Sequence, residues 1–413
     1  MAQDVIVLGA GIVGVSLALH LQQRGRDVVL VDRQGPGEGT SFGNAGLIQR
    51  EAVFPYPFPH AIKDILRVAR NRSIDAVYQW GALPELASPL LRYWWNSNPE
   101  RYQRAVAGYA ALIQTCIDEH MALAREAEAI ALLRPIGFLA LHGTQAGLDT
   151  TIAKAESANR RFGVNYAVLD SAALATAEPH LLAPKVGAVH WTDALSVSDP
   201  LALTVAYARL FTARGGTIAN GDATTLERTA AAWRIRTDSG PLDASEAVIA
   251  LGAYSTKLTK RFGFAPPLFG KRGYHMHYNL RGNAVLNRPM LDSDSGFMLI
   301  PMRAGIRLTT GAEFARTDAA PYPVQLDRAE PVARGLLPLA DRVDKAPWMG
   351  VRPIIPDMLP ILGQIPGATG LWCCFGHGHQ GLTMGPSTGR LIAEMMTGEK
   401  PFVDPLPYRP ERF

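Results

Sequence analysis

The stretch Asp4-Val5-Ile6-Val7-Leu8-Gly9-Ala10-Gly11-Ile12-Val13-Gly14, followed by Val28-Val29-Leu30-Val31-Asp32, decides the fold. A short apolar run breaks into a three-glycine turn, a segment of helical period continues to Gly25, and a second apolar run ends on a carboxylate. That order predicts a strand, a helix and a parallel second strand, the unit that holds a dinucleotide. Gly9 allows the tight turn, Gly11 lets a pyrophosphate approach bare backbone, and Gly14 lets the helix pack close to its strand. The amides of Ile12 and Val13, at the start of that helix, face the phosphate charge. Asp32, with Arg33 beside it, stands where a carboxylate accepts hydrogen bonds from the adenosine ribose.

At 413 residues the chain exceeds one small core and predicts two domains. Its apolar content of 47% and modest charge describe an ordinary globular protein. A net charge of +4, without a dense Lys/Arg run, gives no support for nucleic-acid binding. Cys116, Cys373 and Cys374 form neither a disulfide framework nor a zinc-ligand spacing, which points to a reducing compartment. The adjacent Cys373 and Cys374 read as part of a buried strand. Asp4 interrupts the first apolar run before the glycine turn, so the opening residues read as strand rather than as a signal peptide. The expected location is cytoplasmic, with attachment to the inner face of the cytoplasmic membrane left open because no apolar segment reaches spanning length.

After Asp32, residues 35–46 form a glycine-rich loop with small hydroxyl and amide side chains, including Thr40, Ser41, Asn44, Ala45 and Gly46. Such a loop brings backbone donors to a polyanion or a flavin edge without steric cost. Prolines alternate with aromatics over residues 54–60, which forbids a helix and favours a stiff cover or entrance wall. Ile62, Ile65, Leu66 and Ala69 then recur at helical spacing among Lys63, Arg67, Arg70 and Arg72, with Trp80, Leu91, Trp94 and Trp95 beyond. This basic amphipathic region either packs its apolar face on the core or rests on an anionic membrane. Residues 101 to about 131 read as one long helix, and Asp199-Pro200 caps another that Gly215-Gly216 stops.

Residues 247–254 repeat the logic of the first strand and turn, ending at Gly252, so the chain returns to its nucleotide domain around an inserted second one. The expected architecture is α/β and α+β: a discontinuous Rossmann-like domain of residues 1–53, 194–268 and 350–413, and a substrate domain of residues 54–193 and 269–349 with a mixed or antiparallel sheet and helices. In the latter, residues 271–278 alternate as a strand, with Arg272, Tyr274, Met276 and Tyr278 on one face and His275 and His277 on the other. The two histidines read as a polar pocket wall rather than a metal site, since no third ligand stands at a telling spacing. Glu313 reads as half of a structural ion pair with an arginine.

Two motifs near the end carry the chemistry. Gly350-Val351-Arg352-Pro353 sets an arginine on a strand-like apolar segment, where a partly dehydrated guanidinium suits a planar carboxylate. Gly376-His377-Gly378-His379-Gln380-Gly381-Leu382-Thr383 leads into a second helix, whose opening amides can hold the pyrimidine end of a flavin as reduction builds negative charge. Nicotinamide has no need of that device, so the reading moves from NAD to FAD.

Together, the N-terminal fingerprint, the Gly39-Thr40-Ser41-Phe42-Gly43-Asn44-Ala45-Gly46-Leu47 loop, the Arg352 segment and the Gly376–Gly389 segment resemble the FAD-dependent D-amino-acid oxidase and dehydrogenase family. The loop is most similar to that of bacterial D-amino-acid dehydrogenases, with glycine and sarcosine oxidases more distant. The resemblance implies oxidative deamination of a D-amino acid or cyclic imino acid. A hydride passes from Cα to flavin N5, and the resulting imino acid hydrolyses to a 2-oxo acid and ammonia. It implies that Arg352 grips the substrate carboxylate, that His379 lies beside the substrate, and that Tyr274 is a further catalytic candidate. It implies FAD contacts from the glycine turn, Asp32, Arg33, the residue 40–47 loop, Ala223, Gly252, Gly378, Gly381, Leu382 and Thr383. Met298 stands where some oxidases carry an active-site tyrosine, and no cysteine is placed for a covalent flavin link, so FAD is expected to be noncovalent. A quinone or other respiratory carrier is the expected electron acceptor. The alternatives are an oxygen-using glycine or sarcosine-type amine oxidase, a flavin-binding subunit of a multi-subunit amine dehydrogenase, and a colourless NAD-dependent dehydrogenase.

Overall fold

The computed structural model describes residues 3–413. Its first sheet is built on the opening strand. Gln3–Leu8 lies between Val28–Asp32 and Gly240–Ile249, parallel to both, with Val5 opposite Val28 and Leu8 opposite Ile249. Thr217–Asn220 adds outside Val28–Asp32, and Leu371–Phe375 adds outside Gly240–Ile249, both in parallel. Val5 to Leu8 and Val28 to Val31 are all buried, because helices and packing residues cover both faces of a parallel sheet. Each such Val or Leu contributes about 1.5–3 kcal/mol of burial free energy.

The Gly240–Ile249 strand serves two partners in turn. Residues 240–244 form the expected hairpin with Trp233–Thr237, while Ala247 to Ile249 pair with Leu371 to Cys373. Cys373 and Cys374 are fully buried in that last strand, as their adjacency suggested. The helices Ile12–Gln23 and Gly381–Thr397 cross closely. A Cβ on Gly389 would stand 2.8 Å from the Leu17 amide nitrogen, so only glycine permits the contact.

The second sheet is organised by the twelve-residue strand Phe269–Leu280. On one edge it pairs antiparallel with Gly305–Thr309 and Ala312–Phe314, and on the other with Trp348–Ile354 and Leu339–Arg342. The sheet continues from Gly305–Thr309 through Phe297–Met302 and Met290–Asp292 to Phe138–His142, which runs parallel to its neighbour, and then to Gly187–Trp191 and Tyr166–Asp170. The sheet is therefore mixed. The segment bearing Arg352, grouped by sequence with the nucleotide portion, is hydrogen-bonded into this second sheet, and the chain rejoins the first at Ile361–Gln364.

The long helix expected over residues 101–131 is two helices, Pro99–Ile113 and Cys116–Glu126. Thr115 interrupts them, its hydroxyl bonding to the Leu112 carbonyl and to the Ser387 hydroxyl of the helix beneath. Asp199 caps Pro200–Ala213 through the Ala202 amide, as read from sequence. Among the described residues no helix is long and apolar enough to cross a membrane.

Candidate active site

A cavity of about 1290 Å³ runs between the two sheets. One end is the glycine turn. Gly9 has φ +108°, and a Cβ there would meet the Ala250 carbonyl oxygen at 2.6 Å; one on Gly14 would meet the Gly9 carbonyl oxygen at 1.8 Å. Gly11 begins the helix without any side-chain cap, although the Ser41 hydroxyl accepts from the Ile12 amide at 3.0 Å. Asp32 closes this end, accepting from the amides of Ala10 at 2.7 Å and Gln34 at 3.0 Å. Gly11, Ile12, Val13, Asp32, Arg33, Ala223 and Gly252 all line the cavity here.

Thr40, Ser41, Asn44, Ala45 and Leu47 line its middle. Arg307 fixes this loop, donating to the carbonyls of Phe42 at 3.3 Å and Asn44. At the far side Gly378, Gly381 and Leu382 reach the cavity from the start of Gly381–Thr397, a helix that also lacks a side-chain cap. Gln49 and Gln380 hydrogen-bond at 2.8 Å, and His120 Nε2 lies 2.6 Å from the Leu382 carbonyl; these contacts hold the helix start in place.

Three residues read as cofactor contacts stand outside the lining. Gly14 serves the helix–turn approach, Gly46 packs with φ +65° against Val197 and Met302, and the Thr383 hydroxyl bonds to Gln380 and to the Leu47 carbonyl. The uncapped helix start beside the substituent-free turn fits the central pyrophosphate of a dinucleotide, and the second uncapped start fits a flavin's pyrimidine edge, where reduction builds negative charge.

The reaction end lies against the second sheet. Arg352 donates from Nη1 to the Gly311 carbonyl at 2.6 Å and from Nη2 to the Thr310 carbonyl at 3.2 Å. Burial lowers it to about 10, so it stays a cation at neutral pH. His379 meets the Tyr56 ring edge-on at 4.8 Å between centroids. Burial, and then the positive charges of Arg352, Lys271 and Lys154, push its imidazole down to about 3. It is therefore neutral in the working range. Met298 lines the same chamber, where Tyr56 and its neighbouring prolines form a wall, as read for residues 54–60.

Tyr274 borders the same cavity as Arg352 and His379, but its hydroxyl is committed to neighbours within the second sheet. Its hydroxyl donates to Glu313 Oε2 at 2.6 Å and accepts from Arg272 Nη2 at 2.9 Å and the Tyr322 amide at 2.8 Å. Arg272 and Glu313 are themselves fully buried and paired at 2.8 Å, the ion pair expected for Glu313. Strand alternation puts this network on the face opposite Lys271 and Gly273, where the Tyr274 hydroxyl ties Glu313, Arg272 and the Tyr322 amide together.

His275, His277 and Asp344 approach one another within 4.8 Å. The His277 nitrogens are both engaged, Nδ1 with Asp344 at 2.8 Å and Nε2 with Arg307 Nε at 3.0 Å. A cation there would face the Arg307 guanidinium, which supports a polar wall over a metal centre. Sequence reasoning passed over Lys271. The alternation that set His275 and His277 on one face assigns Lys271 to that same face, and it too lines the chamber.

Fold and cavity thus define a dinucleotide-binding protein whose cavity is roofed by a second sheet. Residues 4–395 match the family model described as DAO, FAD dependent oxidoreductase, and the chain belongs to that family. A D-amino acid dehydrogenase of Granulibacter bethesdensis is 31% identical, with 97% of each chain covered. A D-amino-acid oxidase of Bradyrhizobium diazoefficiens is 27% identical over 100% of this chain and 99% of its own. The crystal structure of glycine oxidase from Geobacillus kaustophilus superposes with a TM-score of 0.75 at 21% identity, covering 100% of this chain and 99% of that one. The protein is an FAD-dependent oxidoreductase, with Cys116, Cys373 and Cys374 buried as free thiols.

Proposed function

We propose that the protein is a D-amino-acid dehydrogenase in which Arg352 holds the substrate carboxylate. One observation carries the reading: the guanidinium enters a chamber of an FAD-dependent enzyme with, among the described residues, only backbone carbonyls as hydrogen-bond partners, leaving its charge for an anion. FAD, when bound, supplies the acceptor for the hydride leaving Cα as the amine nitrogen lone pair forms the imine bond. The chain's own contribution is orientation. Arg352 anchors the carboxylate, neutral His379 adds a hydrogen-bonding group without a second charge, and the wall over residues 55–59 excludes water. Imino acid released to solvent hydrolyses to the 2-oxo acid and ammonia.

The proposed electron acceptor is a membrane quinone. Ile62, Trp80 and Leu91 are 74%, 70% and 65% exposed, and Ile65 and Val68 of the same amphipathic helix border the cavity. An apolar, arginine-rich rim at the chamber mouth suits a lipid surface that delivers an apolar acceptor. Anaerobic bleaching of the purified yellow protein by D-alanine or D-proline tests the amino-acid reading; unchanged absorbance with every D-amino acid tried overturns it. Oxygen uptake matching the rate of quinone reduction would replace the acceptor with dioxygen.

A further inference from the structure

Lys271 and Arg352 are direct cross-strand partners in the antiparallel pairing of Phe269–Leu280 with Trp348–Ile354. Like charges set opposite each other in a sheet destabilise it unless something answers them. Here, among the described residues, nothing anionic does. The Lys271 ammonium rests over the rings of Tyr93 at 4.6 Å and Phe314 at 5.3 Å, and no carboxylate pairs with it or with Arg352. Aromatic faces hold a cation but do not cancel its charge. Both side chains line the chamber, and His379 beside them adds no negative charge.

The contrast with the rest of the sheet is informative. Arg272, the next residue, is answered by Glu313 at 2.8 Å, and Lys185 by Asp292 at 3.2 Å. Arg307 is also buried without a carboxylate partner, bonded to His277 and two backbone carbonyls, but Lys271 and Arg352 are set directly opposite each other across a strand pair.

Resting on the reading of an amino-acid dehydrogenase given above, we propose that the physiological substrate carries two carboxylates, the α-carboxylate on Arg352 and the second on Lys271. The shared chemistry is an amine flanked by two acids. A D-dicarboxylic amino acid and an N-carboxymethyl amino acid both satisfy it. The Lys271 ammonium is held down to about 7 by burial and by Arg352, and a bound carboxylate restores its charge.

The test uses the FAD-loaded protein and the ratio of kcat/KM for D-glutamate over D-glutamine, which differ in charge but hardly in shape. A ratio of about tenfold or more is expected in the native protein, falling to near unity in Lys271→Met and recovering in Lys271→Arg. D-Aspartate and iminodiacetate separate the two sources, the one used better naming the class. Binding gives a readout independent of turnover. Glutarate should perturb the flavin absorbance at concentrations about tenfold lower than butyrate does, and that advantage should vanish in Lys271→Met.

Equal use of D-glutamate and D-glutamine by the native protein overturns the proposal while sparing the dehydrogenase reading. Equal loss for both substrates in Lys271→Met, with the ratio unchanged, also overturns it and makes Lys271 a general participant such as a base. Failure of every amino acid to bleach the flavin brings down both readings.

Discussion

The Arg352 guanidinium lies over Gly273: a Cβ built on that glycine would stand 2.5 Å from Nη2 and 2.7 Å from Cζ. The missing side chain on one strand is therefore the seat of the Arg352 side chain on the next. Arg352 cannot swing aside freely, because the Gly311 and Thr310 carbonyls hold its two terminal nitrogens. Gly273→Ala should displace the fork and raise KM for amino acids about tenfold, with FAD content unchanged. Steady-state kinetics on the holoenzyme checks this, and an unaltered KM shows that the guanidinium does not need that seat.

Removal of the guanidinium itself is the stronger perturbation. A charge-assisted, two-pronged contact with carboxylate is worth about 3 kcal/mol, so Arg352→Ala should raise KM on the order of 100-fold. The 450 nm flavin absorbance per protein should stay at the native level, since the arginine sits at the reaction end of the cavity, far along it from the glycine turn. Normal turnover in that variant removes Arg352 from substrate binding.

Much of this was legible before any coordinates. Strand, glycine turn and helix are local patterns, and a three-residue glycine spacing reports a steric demand that the Gly9 and Gly14 contacts make explicit. Arg352 announced itself as a guanidinium in an apolar strand. Lys271 did not, because its significance comes from strand register: Lys271 opposite Arg352 is a pairing of residues far apart in sequence, and one residue of slip would dissolve it. The hydrogen-bond network of Tyr274 was hidden for a related reason. Its own strand alternation already grouped it with Arg272, away from His275, and only the Glu313 contact shows where that face points. The break at Thr115 depends on Ser387 from another helix, which no local propensity encodes.

The pH dependence follows from two groups facing the chamber. His379 is pushed down to about 3, so it stays neutral and should leave no inflection in kcat/KM between about pH 5 and 6.5. Lys271 is lowered to about 7: charged below that value, neutral above it. The preference for D-glutamate over D-glutamine should therefore be full near pH 6 and decline as pH rises through about 7 in kcat/KM, which reports the free enzyme. A preference that strengthens with rising pH contradicts this assignment.

Asp32 links the glycine turn to the second strand, accepting from Ala10 at 2.7 Å while lining the nucleotide end of the cavity. Asp32→Ala removes an acceptor for the ribose and leaves the Ala10 amide without its partner. FAD affinity should fall by about 10- to 100-fold, read from flavin retained after gel filtration and from titration of the apoprotein. KM for amino acids in the FAD-saturated variant should move much less, because Arg352 belongs to the other sheet.

Tyr274→Phe separates support from catalysis. The hydroxyl satisfies the Tyr322 amide and shares Glu313 with Arg272 in a site where all three side chains are essentially inaccessible. Losing it strands an amide and half-satisfies a buried ion pair, costing about 1–3 kcal/mol. Differential scanning calorimetry on the holoprotein should show a Tm lower by a few degrees. The kinetic constants should change less than those of Arg352→Ala, since the phenyl ring still fills its place in the core. Loss of turnover at an unchanged Tm would return the tyrosine to the reacting atoms and require the strand to face the other way.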